Sequence, residues 1–441
     1  MYRNMYRQDT HMTKPEWSDY IALLNREVVP ALGCTEPITI SLATARAVQE
    51  LGAAPERITV LVSGNLLKNG MGVGVPGTGM TGLDIAAAVG ATGGKAGLAL
   101  EVLRDLTEEQ IAAGKQMLAE KRVTVALAES TELLIADVTV FAGSDSARCV
   151  IAREHTAIVL VEKNGKETFS APWPGEEAVK TEWPLTMERI YDFAVNAPFE
   201  TISFILEAAR LNEAIAAEGM SREWGLKVGR SMEEDIQQGL RADDIASFAI
   251  KMAAAASDAR MDGIMLPVMS NSGSGNQGIT ATVPVLAFAR RLNADDEQLA
   301  RALIMSHLTA IHLKHHLGRL SALCGAILAA TGSSCGIVML FGGGMREIGF
   351  AIKNMVGNIA GMICDGAKTS CALKVASAVE AGIQAALLAK KGTSVSGKEG
   401  IVDDDLEISI QNLGRLGTSG MAETDKVILD IMVSKKHTPA S

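Results

Sequence analysis

Six cysteines are the residues of this 441-residue chain with the widest chemical capacity: Cys34, Cys149, Cys324, Cys335, Cys364 and Cys371. Free cysteine is among the most buried residue types, so their number alone indicates no function. The first 17 residues are polar and lack the apolar stretch of a secretory signal. We therefore expect a cytoplasmic protein whose cysteines are thiols, metal ligands or catalytic groups.

Sequence spacing limits which cysteines can share one metal cluster. Cys324 and Cys335 are eleven residues apart, about 16 Å along a straight helix. Cys364 and Cys371 are seven residues apart, about 10 Å on the same basis. A small cluster would more naturally take one cysteine from each of three segments. Three thiolates on four irons leave one iron open, as a Lewis-acid catalyst requires.

Three motifs carry a resemblance to a known family. They are Pro30-Ala-Leu-Gly-Cys-Thr-Glu-Pro37, Arg319-Leu-Ser-Ala-Leu-Cys324-Gly and Ile363-Cys-Asp-Gly-Ala-Lys368. Together they resemble the bacterial and archaeal L-cysteine desulfidase family, which is related to the α-segment of iron–sulfur L-serine dehydratase. The resemblance covers essentially the whole chain after Trp17. It implies an oxygen-sensitive 4Fe–4S cluster held by Cys34, Cys324 and Cys364.

The third ligand has an alternative. The segments around Cys324 and Cys364 also resemble those of the serine dehydratases, but the third ligand of those relatives lies nearer the position of Cys371. Cys34 and Cys371 are therefore both candidates. If Cys34 is the ligand, the N-terminal helices are expected to pack on the helical part of the chain.

The resemblance implies a carbon–sulfur lyase that eliminates sulfide from L-cysteine and yields pyruvate and ammonia. The open iron would act as a Lewis acid on the departing sulfide while a base removes the α-proton. His315, His316 and Lys368 are the candidate bases nearest in sequence to the expected ligands. An L-serine dehydratase with the same cluster is the runner-up. A non-catalytic metal- or small-molecule-binding protein is the alternative from another class.

A loop of small polar residues, Ser270–Gly278, precedes an apolar helix and would form an anion site. In the family interpretation it binds the substrate carboxylate, with Ser274 and Asn276 as side-chain donors. Arg319 is a second candidate for pairing with that carboxylate. The bland alternative is a tight turn between two helices.

The same loop would also suit the phosphate of pyridoxal phosphate, which needs a Schiff-base lysine. Lys68, Lys314 and Lys368 are available, but none lies in a recognisable pyridoxal-lysine motif. A β-eliminating lyase with this cofactor is therefore a rival with less support.

A glycine-rich run between Ser63 and Gly79 follows a strand candidate and superficially resembles a dinucleotide-binding loop. No acidic residue on a well-defined second strand follows at the expected spacing. We expect instead a lid or contact loop of the active site, with Asn65 and Lys68 pointing inward.

Four histidines lie within ten residues: His307, His312, His315 and His316. On a helix, His312 and His316 would share one face, a spacing that can hold zinc. The sequence shows no third ligand, so polar contacts on a partly solvated helix are the simpler interpretation.

These residues must be positioned by an α+β fold. Short β-rich runs lie at 123–127, 133–141, 147–154, 157–163 and 168–171, and Asn164-Gly165 indicates a hairpin. From residue 186 to 435 the pattern is almost entirely helical. We predict a discontinuous helical, cluster-binding domain (15–54 and 185–436) and an α+β lobe (55–184) inserted after the first two helices. Residues 1–14 would be a flexible N-terminus and 437–441 a tail.

Composition excludes several partners. A net charge of −10 and a pI near 5.4 argue against nucleic-acid binding. The 26 uncharged residues from Leu320 to Met345 are long enough to span a membrane, yet they include six glycines. We expect two buried helices there, separated at Gly332-Ser333-Ser334, and no membrane span. The expected partner is a small amino-acid substrate, L-cysteine. A homodimer is an alternative that the sequence does not decide.

Overall fold

Two hydrophobic cores organise the chain in a computed structural model that describes residues 14–174, 185–318 and 321–435. One core is formed by helices and the other surrounds a six-stranded sheet. The predicted α+β class with a large, mostly helical part is confirmed. The predicted flexible N-terminus, apart from Lys14, and the C-terminal tail lie outside the described residues.

The strands follow the predicted pattern closely. They are β1 (Pro30–Leu32), β2 (Arg57–Val62), β3 (Gly74–Val75), β4 (Met80–Thr81), β5 (Val123–Leu127), β6 (Ile135–Ala142), β7 (Asp145–Ala152), β8 (Ile158–Lys163), β9 (Lys166–Ser170) and β10 (Pro267–Met269). The large sheet has the order β5-β2-β6-β7-β8-β9, in which only the β2–β5 pair is parallel. The hairpin at Asn164-Gly165 is confirmed, because both residues have a positive φ, 50° and 71°.

Helices account for most of the remaining residues. They are α1 (Pro15–Glu27), α2 (Thr35–Leu51), α3 (Gly64–Gly70), α4 (Leu83–Gly93), α5 (Glu108–Ala119), α6 (Met187–Asn196), α7 (Phe199–Ile202), α8 (Leu206–Ser221), α9 (Val228–Gln237), α10 (Ile245–Met261), α11 (Gly275–Arg291), α12 (Asp296–Leu317), α13 (Gly325–Leu340), α14 (Met345–Ile359), α15 (Cys371–Lys390), α16 (Leu406–Arg415) and α17 (Ala422–Ser434). Helices α2 to α5 accompany the sheet, and α1 and α6 to α16 form the helical body.

Helix α2 packs on the sheet, whereas we predicted from the sequence that it packs with the helical part. Ile40 and Leu42 are buried in the same core as Val138 of β6. The backbone of α4 comes close to α2, since a Cβ on Gly90 would lie 2.7 Å from the Cα of Ser41. Helix α1 does pack in the helical body. The division between the two cores therefore falls near residue 34, not at residue 54.

The uncharged segment after Leu320 forms one helix, α13, and the expected break at Gly332 is wrong. A Cβ on Gly332 would lie 2.2 Å from the carbonyl oxygen of Ser306, so glycine permits close packing of α13 on α12. Ser333 and Ser334 donate hydrogen bonds to carbonyl groups within the helix. Their hydroxyl groups therefore do not interrupt it.

One helix in the described part of the chain, α15, is long and apolar enough to cross a membrane by length and composition. Half of its most apolar window is buried inside the protein. Core helices pass the same test, so this helix is weak evidence for a membrane span.

Candidate active site

Four cysteines line one cavity of about 110 Å³ between the two cores. They are Cys34, Cys324, Cys364 and Cys371. The structure thus brings together the three expected ligands and the alternative third ligand. The other two cysteines are buried elsewhere, Cys149 in strand β7 and Cys335 inside helix α13.

Cys34 reaches the cavity through a short two-stranded sheet. Strand β1, just before Cys34, pairs antiparallel with β10, just before the small-residue loop. The carbonyl oxygen of Val29 also accepts bonds from the N–H and hydroxyl of Ser270, at 2.9 and 2.7 Å. The six paired residues of β1 and β10 therefore bring Cys34 to the helical body. From the sequence we had expected packing of α2 on that body to do so.

Cys324 and Cys364 are held by a second backbone pairing. Leu323 and Ile363 form an antiparallel bridge, and the N–H of Cys324 donates to Met362 O at 2.9 Å. In such a pairing Cys324 and Cys364 are diagonal neighbours on one face, a relation that places residues about 7–8 Å apart. Cys371 begins α15 and packs with Cys34 in a small apolar cluster.

Four helices begin at the cavity. Cys34, Ser274 and Cys324 are the N-cap residues of α2, α11 and α13, and Cys371 is the first residue of α15. Each helix N-terminus carries unsatisfied N–H groups and about half a positive charge. The site is consequently suited to anions, whether thiolates or a substrate carboxylate.

Burial nevertheless favours the neutral thiol form of Cys34 and Cys324. It raises the pKa of Cys34 to about 12, although the Arg260 guanidinium opposes the rise. Burial and the neighbouring Cys364 also raise the pKa of Cys324 to about 12. Ligation would have to displace the proton, as is general for metal-binding thiols.

Arg260 supplies a buried cation with an unused donor. Its side chain is 4% exposed, and one terminal N–H donates to Gly33 O at 3.1 Å. Its Nε has no hydrogen-bond partner among the described residues and lies against Gly275, the first residue of α11. A guanidinium N–H beside a helix N-terminus matches the geometry of a carboxylate.

Three amides present buried oxygen atoms that are unsatisfied within the described ranges. They are the side-chain oxygens of Asn69, Asn276 and Gln277. All three residues line the cavity, together with Glu36, which accepts a 3.3 Å bond from the Asn69 amide. Amide and carboxylate oxygens are the acceptors that an ammonium group needs.

The substrate residues proposed from the sequence divide into two groups. Ser274 and Asn276 line the cavity, and Ser274 caps α11 by accepting the N–H of Gln277 at 3.4 Å. Asn65 and Lys68 do not line it. Lys68 is 1% exposed and forms an ion pair with Asp425 of α17. The fifth residue, Arg319, lies outside the described residues.

Neighbouring Asn69 lines the cavity in place of Asn65 and Lys68. One residue along a helix changes the side-chain direction by about 100°. The glycine-rich run that follows forms the β3–β4 hairpin, and Gly74 packs against Asp262 and Gly263. This hairpin therefore forms a contact between the two cores.

The three candidate bases do not line the cavity. His315 is exposed, His316 lies beside His312, and Lys368 bonds to the carbonyl group of Asp365. They are near the cysteines in sequence, but each side chain is turned elsewhere by its helix or turn. The titratable nitrogen groups that do line the cavity, besides Arg260, are His155, Lys314 and Lys374.

Lys374 is held as a cation. Burial would lower the pKa of Lys374, but its ion pair with Asp365 outweighs burial and raises it. The ammonium group also donates to Ile363 O at 3.0 Å, so it is fixed beside the Cys364 segment. Lys374 can therefore stabilise negative charge near the thiols.

Sequence reasoning missed Arg260, His155 and Lys374. Arg260 follows an alanine-rich buried stretch, and a charge at the end of such a helix was the one available signal. His155 lies in the turn between β7 and β8, more than a hundred residues from each of the three cysteine motifs. Nothing in its local sequence indicates a site.

The fold and the cavity define an α+β protein with a cysteine-lined site. In comparison with known proteins, the family model "Serine dehydratase alpha chain" matches residues 97–430. The chain belongs to this family.

Several relatives match this chain nearly end to end. A UPF0597 protein of Oleidesulfovibrio alaskensis is 62% identical over 427 residues, covering 96% of this chain and 100% of the relative. A UPF0597 protein of Bacteroides fragilis is 49% identical with the same coverage of both chains. One of Chromobacterium violaceum is 50% identical, covering 95% of this chain and 98% of the relative. These names state no activity.

Proposed function

We propose that the protein is an iron–sulfur L-cysteine desulfidase, which converts L-cysteine and water into pyruvate, ammonia and hydrogen sulfide. The observation that carries the proposal is the meeting of four cysteines with an Arg260 guanidinium and a set of buried amide oxygens in one small cavity. The first group suits a metal cluster, and the second suits a zwitterionic amino acid. The family match and the resemblance of the three cysteine motifs support the same chemistry.

The donor set fits a 4Fe–4S cluster. Cys34, Cys324 and Cys364 would hold it, with Cys371 as the alternative to Cys34. When bound, the cluster supplies a Lewis-acidic iron that stabilises the departing sulfide. The helix N-termini around the cavity would offset the negative charge of the thiolates.

The chain's own residues would bind and orient the substrate. Arg260 and the N–H groups at the start of α11 would hold the carboxylate, with Ser274 beside it. Asn69, Asn276 and Glu36 would accept the α-ammonium protons. Recognition of both charged groups leaves the side chain of the amino acid to face the cysteines.

His155 is our candidate for the group that removes the α-proton. It lines the cavity, its backbone carbonyl is held by Thr39 at 3.0 Å, and histidine is the side chain most often used for proton transfer. Lys374 keeps its own proton and would stabilise the hydrosulfide that leaves as the carbon–sulfur bond breaks. Loss of both groups at Cα and Cβ gives aminoacrylate, which tautomerises and hydrolyses to pyruvate and ammonia.

The test is an anaerobic assay of the reconstituted protein with L-cysteine and L-serine. We expect sulfide and pyruvate in equal amounts from L-cysteine. His155→Gln should lower kcat by about a hundredfold or more with unchanged iron content, because general-base catalysis is worth about 10²–10⁴-fold. Pyruvate from L-serine without sulfide from L-cysteine would replace this proposal by serine dehydration. Neither product would remove the lyase assignment.

A further inference from the structure

A second group of ligand-type side chains lies outside the cavity, at the C-terminal end of α12. His312, His316 and Glu407 place their ligand atoms within 4.8 Å of one another. None of the three lines the cysteine cavity. In the sequence the two histidines had no evident third ligand. Helix α16, about ninety residues later, supplies it.

The carboxylate of Glu407 is oriented from both sides. One oxygen lies 2.7 Å from Nε2 of His312, whose side chain is 4% exposed. The other oxygen accepts the backbone N–H of Met187 at 2.7 Å. Outer hydrogen bonds of this kind are what positions the carboxylate ligands of metal sites.

Close packing of α16 on α12 places His316 beside His312 and Glu407. A Cβ on Gly414 would lie 2.6 Å from the Cβ of His316, so glycine lets α16 approach α12. The rings of His312 and His316 are edge to face, with centroids 5.1 Å apart. A simple histidine–carboxylate hydrogen bond explains His312 and Glu407, but it does not explain why His316 converges on them.

We propose that His312, His316 and Glu407 bind a divalent transition-metal ion of the zinc class, at a site separate from the cysteine cavity. Two imidazoles and a carboxylate are an established zinc ligand set that leaves a coordination position for water. The ion would fasten α16 to α12. This proposal does not depend on the proposed enzymatic function.

The position of the site gives the ion a structural role. Beyond α16, the carbonyl group of Gly417 accepts a 3.0 Å bond from the Ser321 hydroxyl. Ser321 belongs to the segment that connects α12 to Cys324. A metal-fastened α16 would therefore also hold the segment that leads to one of the expected cluster ligands.

The test counts metal sites in the full-length protein by titration with Co²⁺. Glu407→Gln and His316→Gln are the test variants, and His315→Gln, an exposed histidine of the same turn, is the matched control. We expect both test variants to lose one site, or to bind it at least about tenfold more weakly, while the control equals the wild type. All cysteines remain in every protein, so their binding cancels in the difference.

The difference spectrum between wild type and variant identifies the ligands. Imidazole and carboxylate ligands give visible d–d bands without the near-ultraviolet charge transfer that thiolates produce. Zn²⁺ should also raise the melting temperature of the wild type and the control above that of the Glu407→Gln protein. Equal stoichiometry and equal Zn²⁺ stabilisation in all four proteins would overturn the proposal. A difference spectrum with thiolate charge transfer would do the same, because the lost site would then involve cysteine.

Discussion

The sheet core and the helical body meet at the cavity but bring different chemistry to it. The helical body contributes Arg260, the α11 N-terminus and three of the four cysteines, which we propose as the groups for metal and carboxylate. The sheet core contributes Glu36, Asn69 and His155, which we propose as the groups for the ammonium and the α-proton. Cys34 lies at the boundary of the two cores. Neither core is therefore a complete site alone.

The largest effect should come from the helical side of the cavity. Cys324→Ala and Cys364→Ala should each reduce bound iron and abolish lyase activity, because each removes one of the thiolates expected to hold the cluster. Cys149→Ala in the sheet core is the control. It should keep its iron and cost at most about 1–2 kcal/mol in stability, as small deletions in a core do. Iron retained in both test variants would contradict the ligand assignment.

Substitutions of Cys34 and Cys371 test whether the third cluster ligand comes from the boundary of the two cores or from the helical body. We expect Cys34→Ala to lose iron and Cys371→Ala to retain it, measured by metal analysis after anaerobic reconstitution. The opposite result would move the third ligand from the boundary to the helical body. The cluster would then be independent of the sheet core.

Because α2 packs in the sheet core, a substitution in this helix should destabilise that core and not the helical body. Leu42 is 2% exposed in the sheet core, so Leu42→Ala should cost about 2–5 kcal/mol. Hydrogen exchange should accelerate in β2, β6 and α4, while amides of α12 and α13 keep their protection. Uniform acceleration in both cores would show that they unfold as one unit.

Carboxylate binding should depend on Arg260 of the helical body. Arg260→Lys keeps the positive charge but loses the Nε–H, so kcat/KM for L-cysteine should fall by about 10- to 100-fold, the value of a charged hydrogen bond. Iron content should stay the same. Arg290→Lys, which alters an exposed ion pair with Glu213, is the control and should change neither quantity. An unchanged kcat/KM in Arg260→Lys would remove this residue from substrate binding.

The smallest effect concerns Asp258 of α10. Burial raises the pKa of Asp258 to about 6, although the backbone N–H groups of Gly229 and its neighbours lower it. The contribution of protonated Asp258 to the stability of the folded protein is therefore fully present below the unfolded-state pKa. It is lost as the pH rises through about 6. Between pH 7 and pH 5 the wild type should gain about 1 kcal/mol in unfolding free energy relative to Asp258→Asn. Parallel pH profiles in urea denaturation would contradict the raised pKa.

Sequence patterns predicted the sheet far better than the site. Strand positions depend on local alternation and turn residues such as Asn164-Gly165, which a short window contains. Helix α2 was misplaced because Cys34 was expected to draw it to the other cysteines. Since it is buried on nearly every side, the period of its apolar residues does not tell which core buries it. The cysteine motifs were recognised by resemblance. Arg260 and His155 were missed because only the β1–β10 pairing and the contact between the cores bring them to the cysteines.

The most direct measurement is the ultraviolet–visible spectrum of protein purified and reconstituted without oxygen, recorded for the wild type and for Cys324→Ala. A thiolate-bound iron–sulfur cluster should give the wild type a broad band near roughly 400 nm that dithionite bleaches, and the variant should lack it. We expect this difference together with sulfide release from L-cysteine by the wild type alone. A wild-type spectrum without the band despite reconstitution, or a yellow protein that loses its band on borohydride treatment, would contradict this expectation.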